Sequence, residues 1–408
     1  MKEATIHLTG CNTGVSPSNN SNRGEKKGPE DYFLDTYGQC RAAFVSAAER
    51  ITRGRHGALV SRLAVPSALD GDLTIDYCYL PPAAKKKRLL VMSSGVHGVE
   101  GFAGSAVQRL FMEEIAPELA DKNLGVLLIH GINPYGFKYL RRVTEHNVDL
   151  NRNFIQEHLF FAQSRNTHYS GLGPIINPRG KVVISNLAFA AIITRFLLFM
   201  ARHSFTTVVR AVLRGQYEFK QGLYFGGWRS EPQNRRLRGL IRTIAEPYRS
   251  VFLIDLHTGY GDLGELCFFP TRTVDGQSRQ AMEALFDGYT LLDEDGSDYY
   301  DISGDFTIYT GFLLPRDRLY VPMTFDFGTF NSTSKIEMLR SLITMILENQ
   351  AHHHGCVYPW EERKIKRHFL ELFYPSSREW REGVLERMRA VLPVLLDRYA
   401  GYKPETAG

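Results

Sequence analysis

Two side chains that can bind a metal ion stand three residues apart in the glycine-rich run Gly95–Gly101, which contains His97 and Glu100. On a turn that leads from a strand into a helix, side chains at this spacing can point the same way and hold one ion. Catalytic zinc commonly takes three protein ligands and one water, and two histidines with one glutamate are a known set. His257, in the run Asp255–Gly259, is the candidate third ligand. A His-x-x-Glu pair alone is also compatible with a surface histidine and a glutamate that favours a helix N-terminus.

A second polar group, between positions 141 and 154, is rich in arginine and asparagine. An arginine can bind a carboxylate through two parallel N–H groups, and an asparagine adds an amide donor. Asn151 and Arg152 therefore suit a substrate that carries a free carboxylate, although Arg152 could instead pair with a neighbouring acid such as Asp149. Arg141 or Arg142 could place positive charge beside a developing oxyanion, and the other could be a solvated surface charge. Their positions favour Arg142 for the oxyanion, and Arg141 is kept as a candidate for binding the substrate.

Two aspartates could assist at such a site. Asp326 could accept a proton from a metal-bound water and pass it to a leaving amine, or it could bond to the backbone of the turn at Gly328. On a strand, Asp255 would point to the same face as His257 and could orient that ligand, or it could cap a turn. The residue types leave both alternatives open.

Short apolar runs predict the strands that must bring these residues together. Runs without polar interruption are typical of buried strands, and four of them are Arg88–Ser94, Gly125–Gly131, Ser250–Leu256 and Leu319–Phe327. A fifth run, Thr74–Leu80, alternates and suits an outer strand. Helical patterns between them, at 32–51, 102–115 and 337–350, predict an α/β sheet. Each polar group falls at the end of a predicted strand, and ligands of open α/β sheets bind at the carboxyl ends of strands, so the groups are expected to converge.

Composition divides the chain into three predicted parts. Residues 1–30 are rich in Ser, Asn, Gly and Lys, which predicts a mostly disordered leader. The 408 residues are 43% hydrophobic, enough to bury a large core, and residues 31–355 are predicted to form one catalytic domain. Residues 356–408 are charged and helical in pattern, and we expect an extension that packs outside the core.

Several functions are not implied by the composition. The net charge is only +5, and basic residues are mixed with acids, so no nucleic-acid partner is expected. Five scattered cysteines without zinc-finger or redox spacing, and no visible secretory signal, predict free thiols in a cytoplasmic protein. The apolar stretch 182–201 contains Arg195 and predicts a buried helix, not a membrane span. His352–His354 and Asp293–Asp298 are interpreted as a helix end and a solvated loop, not as metal sites.

Taken together, the polar groups resemble the zinc carboxypeptidase superfamily, the carboxypeptidase A-like metallopeptidases, and within it an uncharacterised bacterial-type subgroup. The matching runs cover roughly residues 31 to 350 in the family's order; they are Ser94–Ser105, Asn133–Phe137, Asn147–Phe154, Gly215–Gln216, Gly222–Gly227, Asp255–Gly259 and Phe327–Thr329. The resemblance implies a three-layer α/β/α sandwich with a mixed, mostly parallel eight-stranded sheet. It implies one zinc ion on His97, Glu100 and His257, and a substrate carboxylate held by Asn151 and Arg152. It also implies that an arginine of the 141–142 pair assists the oxyanion.

The sequence departs from this family at Asp326, where the family's general base is a glutamate. An aspartate reaches about 1 Å less far, and a misplacement of that size can cost about 100-fold in rate. Three functions therefore remain open. They are a metallocarboxypeptidase that acts on peptides, a deacylase of N-acyl amino acids from the same superfamily, and a catalytically weak or inactive zinc- or peptide-binding protein.

Overall fold

A mixed β-sheet of seven strands forms the centre of the described residues, which are 27–403 without 157–160, 162–164, 186–192, 197–198, 200–202, 272–273, 293–302 and 331–333 of the computed structural model. The strands are β1 (Leu59–Ala64), β2 (Thr74–Leu80), β3 (Arg88–Ser94), β4 (Leu124–His130), β5 (Ser250–Thr258), β6 (Leu266–Pro270) and β7 (Leu319–Phe327). Their order across the sheet is β1-β2-β4-β3-β5-β7-β6. The central strands β4, β3, β5 and β7 run parallel, and β1, β2 and β6 are added antiparallel.

The predicted α/β class is confirmed, whereas the predicted sheet of eight mostly parallel strands is wrong for the described chain. Only three of the six strand pairings are parallel. The five predicted strands are present, but β2 lies inside the sheet between β1 and β4 and not at its edge. Strand β1 was not predicted because its half-exposed residues do not alternate cleanly between buried and exposed. Strand β6 was not predicted because it has only five residues and ends at Pro270.

Twelve helices of the described residues surround the sheet. They are α1 (Pro29–Tyr32), α2 (Tyr37–Thr52), α3 (Gly101–Leu110), α4 (Pro134–Lys138), α5 (Thr167–Ile176), α6 (Phe205–Leu213), α7 (Pro232–Ala245), α8 (Gly276–Leu285), α9 (Phe306–Leu313), α10 (Lys335–His354), α11 (Pro359–Phe373) and α12 (Arg378–Gly401). The helix predicted from residue 32 is split, because Thr36 accepts a hydrogen bond from the backbone of Gln39 and caps a new helix at Tyr37. The helix predicted over 102–115 is α3, which continues as a π-helical turn over Phe111–Ile115.

Helices cover both faces of the sheet, so the predicted three-layer arrangement is present. Alternate residues of one strand belong to different hydrophobic clusters: Leu90 and Met92 face α2, α3 and α12, whereas Leu89 and Val91 face α7 and α9. This alternation is what a strand covered on both faces requires. A third cluster joins α5, α6, α10 and α11 beside the carboxyl ends of the strands and includes Val99.

The two C-terminal helices pack into the main hydrophobic core. This segment forms the helices α11 and α12, as its helical pattern predicts, but the apolar face of α12, which includes Trp380, Leu392 and Leu395, is buried in the same cluster as the sheet. The expectation that this segment packs outside the core is therefore wrong, because its leucines and aromatics recur along one face between the charged residues that dominate its composition. The division of the chain at residue 355 remains a prediction.

No helix among the described residues is long and apolar enough to cross a membrane. The apolar stretch 182–201 and the predicted leader lie partly outside the described residues. The loop 293–298 lies entirely outside them. Cys40, Cys78 and Cys356 are free thiols, as predicted.

Candidate metal centre

The carboxyl ends of β3 and β5 lie side by side in the centre of the sheet and position the three candidate ligands. Ser94, the last residue of β3, is in register with Leu256 of β5, and His257 follows directly. His97 follows β3 after two residues, and Glu100 ends a single 3₁₀ turn that leads into α3. This turn packs so closely against α4 that a Cβ at Gly98 would lie 2.2 Å from the backbone of Gly136, which explains why a glycine is needed there.

The three candidate ligands converge as the sequence predicts. Their ligand atoms lie within 4.8 Å of one another, and all three residues are buried. Glu100 places Oε1 at 2.8 Å from His97 Nδ1 and Oε2 at 2.9 Å from His257 Nδ1. Both imidazoles therefore turn the same type of nitrogen towards one carboxylate.

A buried nitrogen atom without a hydrogen-bond partner indicates that a metal ion fits between these groups. His97 Nδ1 has no hydrogen-bond partner, although it is buried and close to the Glu100 carboxylate. A buried polar atom without a partner is costly, and a divalent cation would satisfy it. Two imidazole nitrogens and a carboxylate are a donor set that zinc accepts, so the residues present fit a metal ion.

Each histidine is held from behind by an aspartate. His257 Nε2 lies 2.8 Å from Asp255 Oδ2, and Ser93 Oγ donates to the other oxygen of Asp255 at 2.7 Å. His97 Nε2 lies 3.2 Å from Asp149 Oδ1. A carboxylate behind a ligand histidine fixes its orientation and its tautomer.

The ring of His97 has a second neighbour, and the two contacts exclude each other. Arg142 Nη2 lies 2.7 Å from His97 Nε2, the same nitrogen that faces Asp149. When Nε2 carries the proton it donates to Asp149, and when it does not it accepts from Arg142. Coordination through Nδ1 leaves the proton on Nε2 and so selects the bond to Asp149.

The carboxylate of Asp149 joins His97 to the two arginines of the site. It accepts hydrogen bonds from Arg142 Nε at 3.1 Å, from Arg152 Nη1 at 3.2 Å and from the backbone of Asn151 at 3.1 Å. Arg142 also donates from Nη1 to Glu100 Oε1 at 3.2 Å. One buried carboxylate therefore sets the positions of both guanidiniums relative to the candidate metal ligands.

Burial and charge act in opposite directions on the pKa values of this cluster. Burial alone would raise the pKa of Glu100, but His97 and His257 outweigh it and hold that pKa well below its usual range. At Asp149, too, burial would raise the pKa, but the two arginine partners outweigh burial and lower that pKa. At His257 burial would lower the pKa, but Asp255 and Glu100 raise it well above its ordinary value. Glu100 and Asp149 are therefore ionised at neutral pH.

The formal charges of the cluster are unequal, which also favours a cation. Without a metal ion, the raised pKa of His257 lets a proton on its ring balance part of the negative charge. A histidine that binds a metal ion is neutral, and four carboxyl groups then face only two guanidiniums; the six groups are Glu100, Asp149, Asp255, Asp326, Arg142 and Arg152. Uncompensated buried charge is expensive. One divalent ion would neutralise it.

Asp326 lies beside the candidate ligands on the neighbouring strand β7. It is in register with His257, and side chains in register on adjacent parallel strands share a face of the sheet. Its Oδ1 accepts a hydrogen bond from the backbone of Tyr260 at 2.9 Å. Burial and the nearby Glu100 raise the pKa of Asp326 to about 7, against a smaller opposing effect of His257. A carboxyl group with such a pKa can both accept and release a proton near neutral pH.

The two candidate carboxylate-binding residues are close together but largely enclosed. Asn151 Oδ1 accepts a hydrogen bond from the backbone of Phe306 at 2.9 Å, which leaves the Nδ2 amide as the donor the side chain can offer. Arg152 is only 3% exposed and donates to Asp149 and to the carbonyl of Leu213, and its Nε is buried without a partner. Both the predicted role of Arg152 and the predicted alternative, pairing with Asp149, are compatible with this geometry.

The structure does not bring Arg141 to this cluster. Its guanidinium is buried among Glu348, Asn147 and Asn349, with Nε donating to Glu348 Oε1 at 3.0 Å. Lys366 pairs with the same glutamate at 2.7 Å. Of the adjacent arginines, Arg142 reaches the candidate metal centre and Arg141 ties the loop to α10.

Sequence reasoning missed two parts of the site. Asp149 appears there only as a possible ion-pair partner, although Asn151 and Arg152, which follow closely, are both singled out. Tyr224 is not considered as a functional residue, yet its ring lies 5.3 Å from the guanidinium carbon of Arg142 and 4.9 Å from that of Arg152. The signal available was their place in the runs Asn147–Phe154 and Gly222–Gly227, which carry part of the family resemblance.

A mixed α/β sheet with a buried His-Glu-His cluster at the carboxyl ends of its strands defines this chain as an α/β protein with a candidate metal centre. The family model described as a protein of unknown function, DUF2817, matches residues 33–387, and the chain belongs to this family. No curated protein matches the chain.

Metallocarboxypeptidases are among the solved structures to which the chain is similar, as the resemblance of its motifs implies. A metallo-carboxypeptidase from Burkholderia cenocepacia is 12% identical, with a TM-score of 0.42, over 88% of this chain and 69% of the other. Carboxypeptidase A from Helicoverpa armigera is 13% identical, with a TM-score of 0.39, over 83% and 74%. Bovine thrombin-activatable fibrinolysis inhibitor is 13% identical, with a TM-score of 0.41, over 87% and 97%. Likenesses this low assign neither a substrate nor a reaction to this chain.

Proposed function

We propose that this chain is a zinc-dependent hydrolase that cleaves an amide bond next to a free carboxylate, and that it acts as a metallocarboxypeptidase. The observation that carries the proposal is the buried convergence of His97, Glu100 and His257, with Nδ1 of His97 left unsatisfied. These three residues would hold one zinc ion. The aspartates behind both histidines and the excess of negative charge support the same assignment.

Asp326 is the proposed general base. A zinc ion, when bound, supplies a Lewis acid for a water and for the scissile carbonyl. Asp326 shares a face of the sheet with His257, and its raised pKa, about 7, suits a group that takes a proton from water and passes it to the leaving amine. The hydrogen bond from Tyr260 N–H fixes one oxygen and leaves the other for this transfer. Asp326 reaches less far than a glutamate would, but this hydrogen bond holds its side chain in place.

Arg142 is the proposed donor to the oxyanion. Its guanidinium contacts Glu100, His97 and Asp149, and its side chain is 14% exposed, more than that of Arg152. A cation held beside the metal ligands can stabilise negative charge on the carbonyl oxygen in the transition state. Asn151 and Arg152, which also bond to Asp149, are proposed to bind the substrate carboxylate.

One feature favours the second candidate function, the deacylation of small N-acyl amino acids. Arg152 and Asn151 are 3% and 8% exposed, and the segment Gly215–Gly227 packs over Arg152 through Tyr217 and Tyr224. An enclosed carboxylate site accepts a small acid more readily than the end of a long peptide. Both functions use the same ligands and the same base.

A hydrolysis panel tests the proposal. The metal-free and zinc-loaded proteins are incubated with blocked dipeptides, longer peptides and N-acyl amino acids, and each is paired with the amidated form of the same compound. We expect zinc-dependent release of a C-terminal residue or of a free amino acid from the acids only. A preference for N-acyl amino acids over longer peptides would select the deacylase. Zinc binding without hydrolysis of any compound, in both the wild type and Asp326→Glu, would instead support a binding protein.

A further inference from the structure

A tyrosine outside the predicted site contacts both arginines of the candidate metal centre. Tyr224 lies in the segment Gly215–Gly227 between α6 and α7, and it is buried with 7% of its surface exposed. Arg142 and Arg152 both lie over its ring, with their guanidinium carbons 5.3 Å and 4.9 Å from the ring centroid. An arginine within about 6 Å of an aromatic ring centroid is attracted by the ring's quadrupole. One ring therefore attracts both cations.

The segment that carries Tyr224 is fastened to the run that carries the site. The backbone N–H of Asp149 donates to the carbonyl of Phe225 at 2.7 Å, and Asn153 Nδ2 donates to the carbonyl of Gly226 at 2.7 Å. Within the segment, Gln216 and Tyr224 are joined by a backbone hydrogen bond of 3.1 Å. The ring is thus placed by the same residues that position the guanidiniums.

The backbone of Tyr224 adopts a conformation that a tyrosine rarely takes. Its φ is +52°, in the left-handed region. A residue with a Cβ stays there only when its surroundings impose it, and such residues concentrate at binding and catalytic sites. Gly215, at the start of the segment, lets the side chain of Arg152 pass, because a Cβ there would lie 2.9 Å from Arg152 Cδ.

The ring of Tyr224, and not its hydroxyl, makes the contacts that matter at the site. The hydroxyl is directed to Met345 of α10, with Oη 3.6 Å from the sulfur, which is a weak acceptor. Arg142 and Arg152 share a single carboxylate oxygen, Asp149 Oδ2, so their positive charges are held close together. An aromatic face beside two like charges offsets part of their repulsion without taking up any of their N–H donors.

We propose that Tyr224 is a positioning residue whose ring holds Arg142 and Arg152 in the arrangement that receives the substrate carboxylate and oxyanion. This inference rests on the proposed function of the two arginines. It assigns to the segment Gly215–Gly227 a part in substrate recognition. It also predicts that phenylalanine can replace tyrosine at position 224, whereas an aliphatic side chain of similar burial cannot.

The test compares Tyr224→Leu with Tyr224→Phe, and uses Phe196→Leu, which shortens a buried aromatic of the same hydrophobic cluster, as the matched control. Binding of 3-phenylpropanoate, an acid without an amide bond to cleave, to the zinc-loaded protein is measured by calorimetry, with zinc content measured in parallel. We expect a dissociation constant raised about tenfold in Tyr224→Leu, in line with the loss of cation–π contacts, and unchanged in the other two variants. With a substrate from the hydrolysis panel, KM should rise more than kcat falls.

Fluorinated phenylalanines at position 224 keep the experiment decisive if Tyr224→Leu does not fold. Successive fluorine atoms weaken the ring's quadrupole and hardly change its shape, so the dissociation constant should rise stepwise from no fluorine to three. Equal affinity across the fluorine series, or a Tyr224→Leu protein that binds like the wild type, would overturn the inference while the proposed function stands. A wild-type protein that neither binds the acid nor hydrolyses any substrate would overturn both.

Discussion

The substitution Asp149→Asn removes the charge that links the candidate metal ligands to the arginines. The carboxylate accepts from the backbone of Asn151 and from two guanidiniums, and it faces His97 Nε2. The amide keeps one acceptor and turns an NH₂ group towards donors. Arg142 and Arg152 then remain buried beside fewer negative charges.

The structure sets the magnitude of the two expected effects of Asp149→Asn. Loss of one partner of a buried ion pair costs about 3–5 kcal/mol. Because both arginines share this carboxylate, we expect a total loss of about 3–5 kcal/mol in the free energy of unfolding and not the sum of two such losses. Loss of the group that orients a ligand histidine lowers metal affinity by about 10- to 100-fold. The variant should therefore be less stable without metal and also bind zinc more weakly.

A second buried aspartate separates these two effects. Asp76 pairs with Arg41 through a 2.9 Å contact on β2 and does not contact the metal-binding residues. Asp76→Asn should lower the free energy of unfolding in urea and leave the zinc dissociation constant unchanged. Zinc affinity is measured by competition with a chromophoric chelator. If Asp149→Asn binds zinc as tightly as Asp76→Asn does, Asp149 does not orient His97 and the reasoning is wrong.

Three further predictions concern catalysis, a buried ion pair and acid stability. Asp326→Asn should lower kcat/KM by at least about 100-fold with zinc content unchanged, and retained activity would exclude Asp326 as the base. Glu348→Gln should lower the free energy of unfolding by about 3–5 kcal/mol, because it leaves Arg141 and Lys366 unpaired, whereas Glu337→Gln, in an exposed pair, should cost under about 0.5 kcal/mol. Burial lowers the pKa of His130 to about 3, so between pH 6.5 and pH 3 only the unfolded chain gains a proton there, and stability falls as the pH falls. Between about pH 7 and pH 4.5 this group alone costs about 3 kcal/mol, and His130→Phe should remove that part of the pH dependence in urea titrations.

The strands and the metal ligands could be predicted because the sequence marks them locally. The ends of β3 and β7 match the apolar runs. His97 and Glu100 come just after the run of β3, and His257 comes just after the run Ser250–Leu256, which forms most of β5. Parallel strands then bring residues that are about 160 positions apart to one edge of the sheet. No local signal of this kind exists for β1, which is short and half exposed.

Position along the chain favours Arg142 over Arg141 at the site but does not by itself decide between them. Leu140 has a φ of +51°, and this left-handed residue redirects the chain just before the two arginines. Which guanidinium reaches Asp149 depends on that turn and on Glu348, which lies some 200 residues away along the chain. The roles of Asp149 and Tyr224 likewise depend on contacts between segments whose order in space the local pattern does not encode.

The zinc content of the wild type and of His97→Ala, Glu100→Ala and His257→Ala tests the central assignment. Each protein is loaded with zinc, dialysed and measured by mass spectrometry of the metal, and a crystal of the wild type is measured at the zinc absorption edge. We expect about one ion per chain in the wild type, less than about a tenth of that in each folded variant, and an anomalous peak between the three side chains. Full zinc content in all three variants, or a peak elsewhere, would contradict the metal centre and with it the proposed hydrolase.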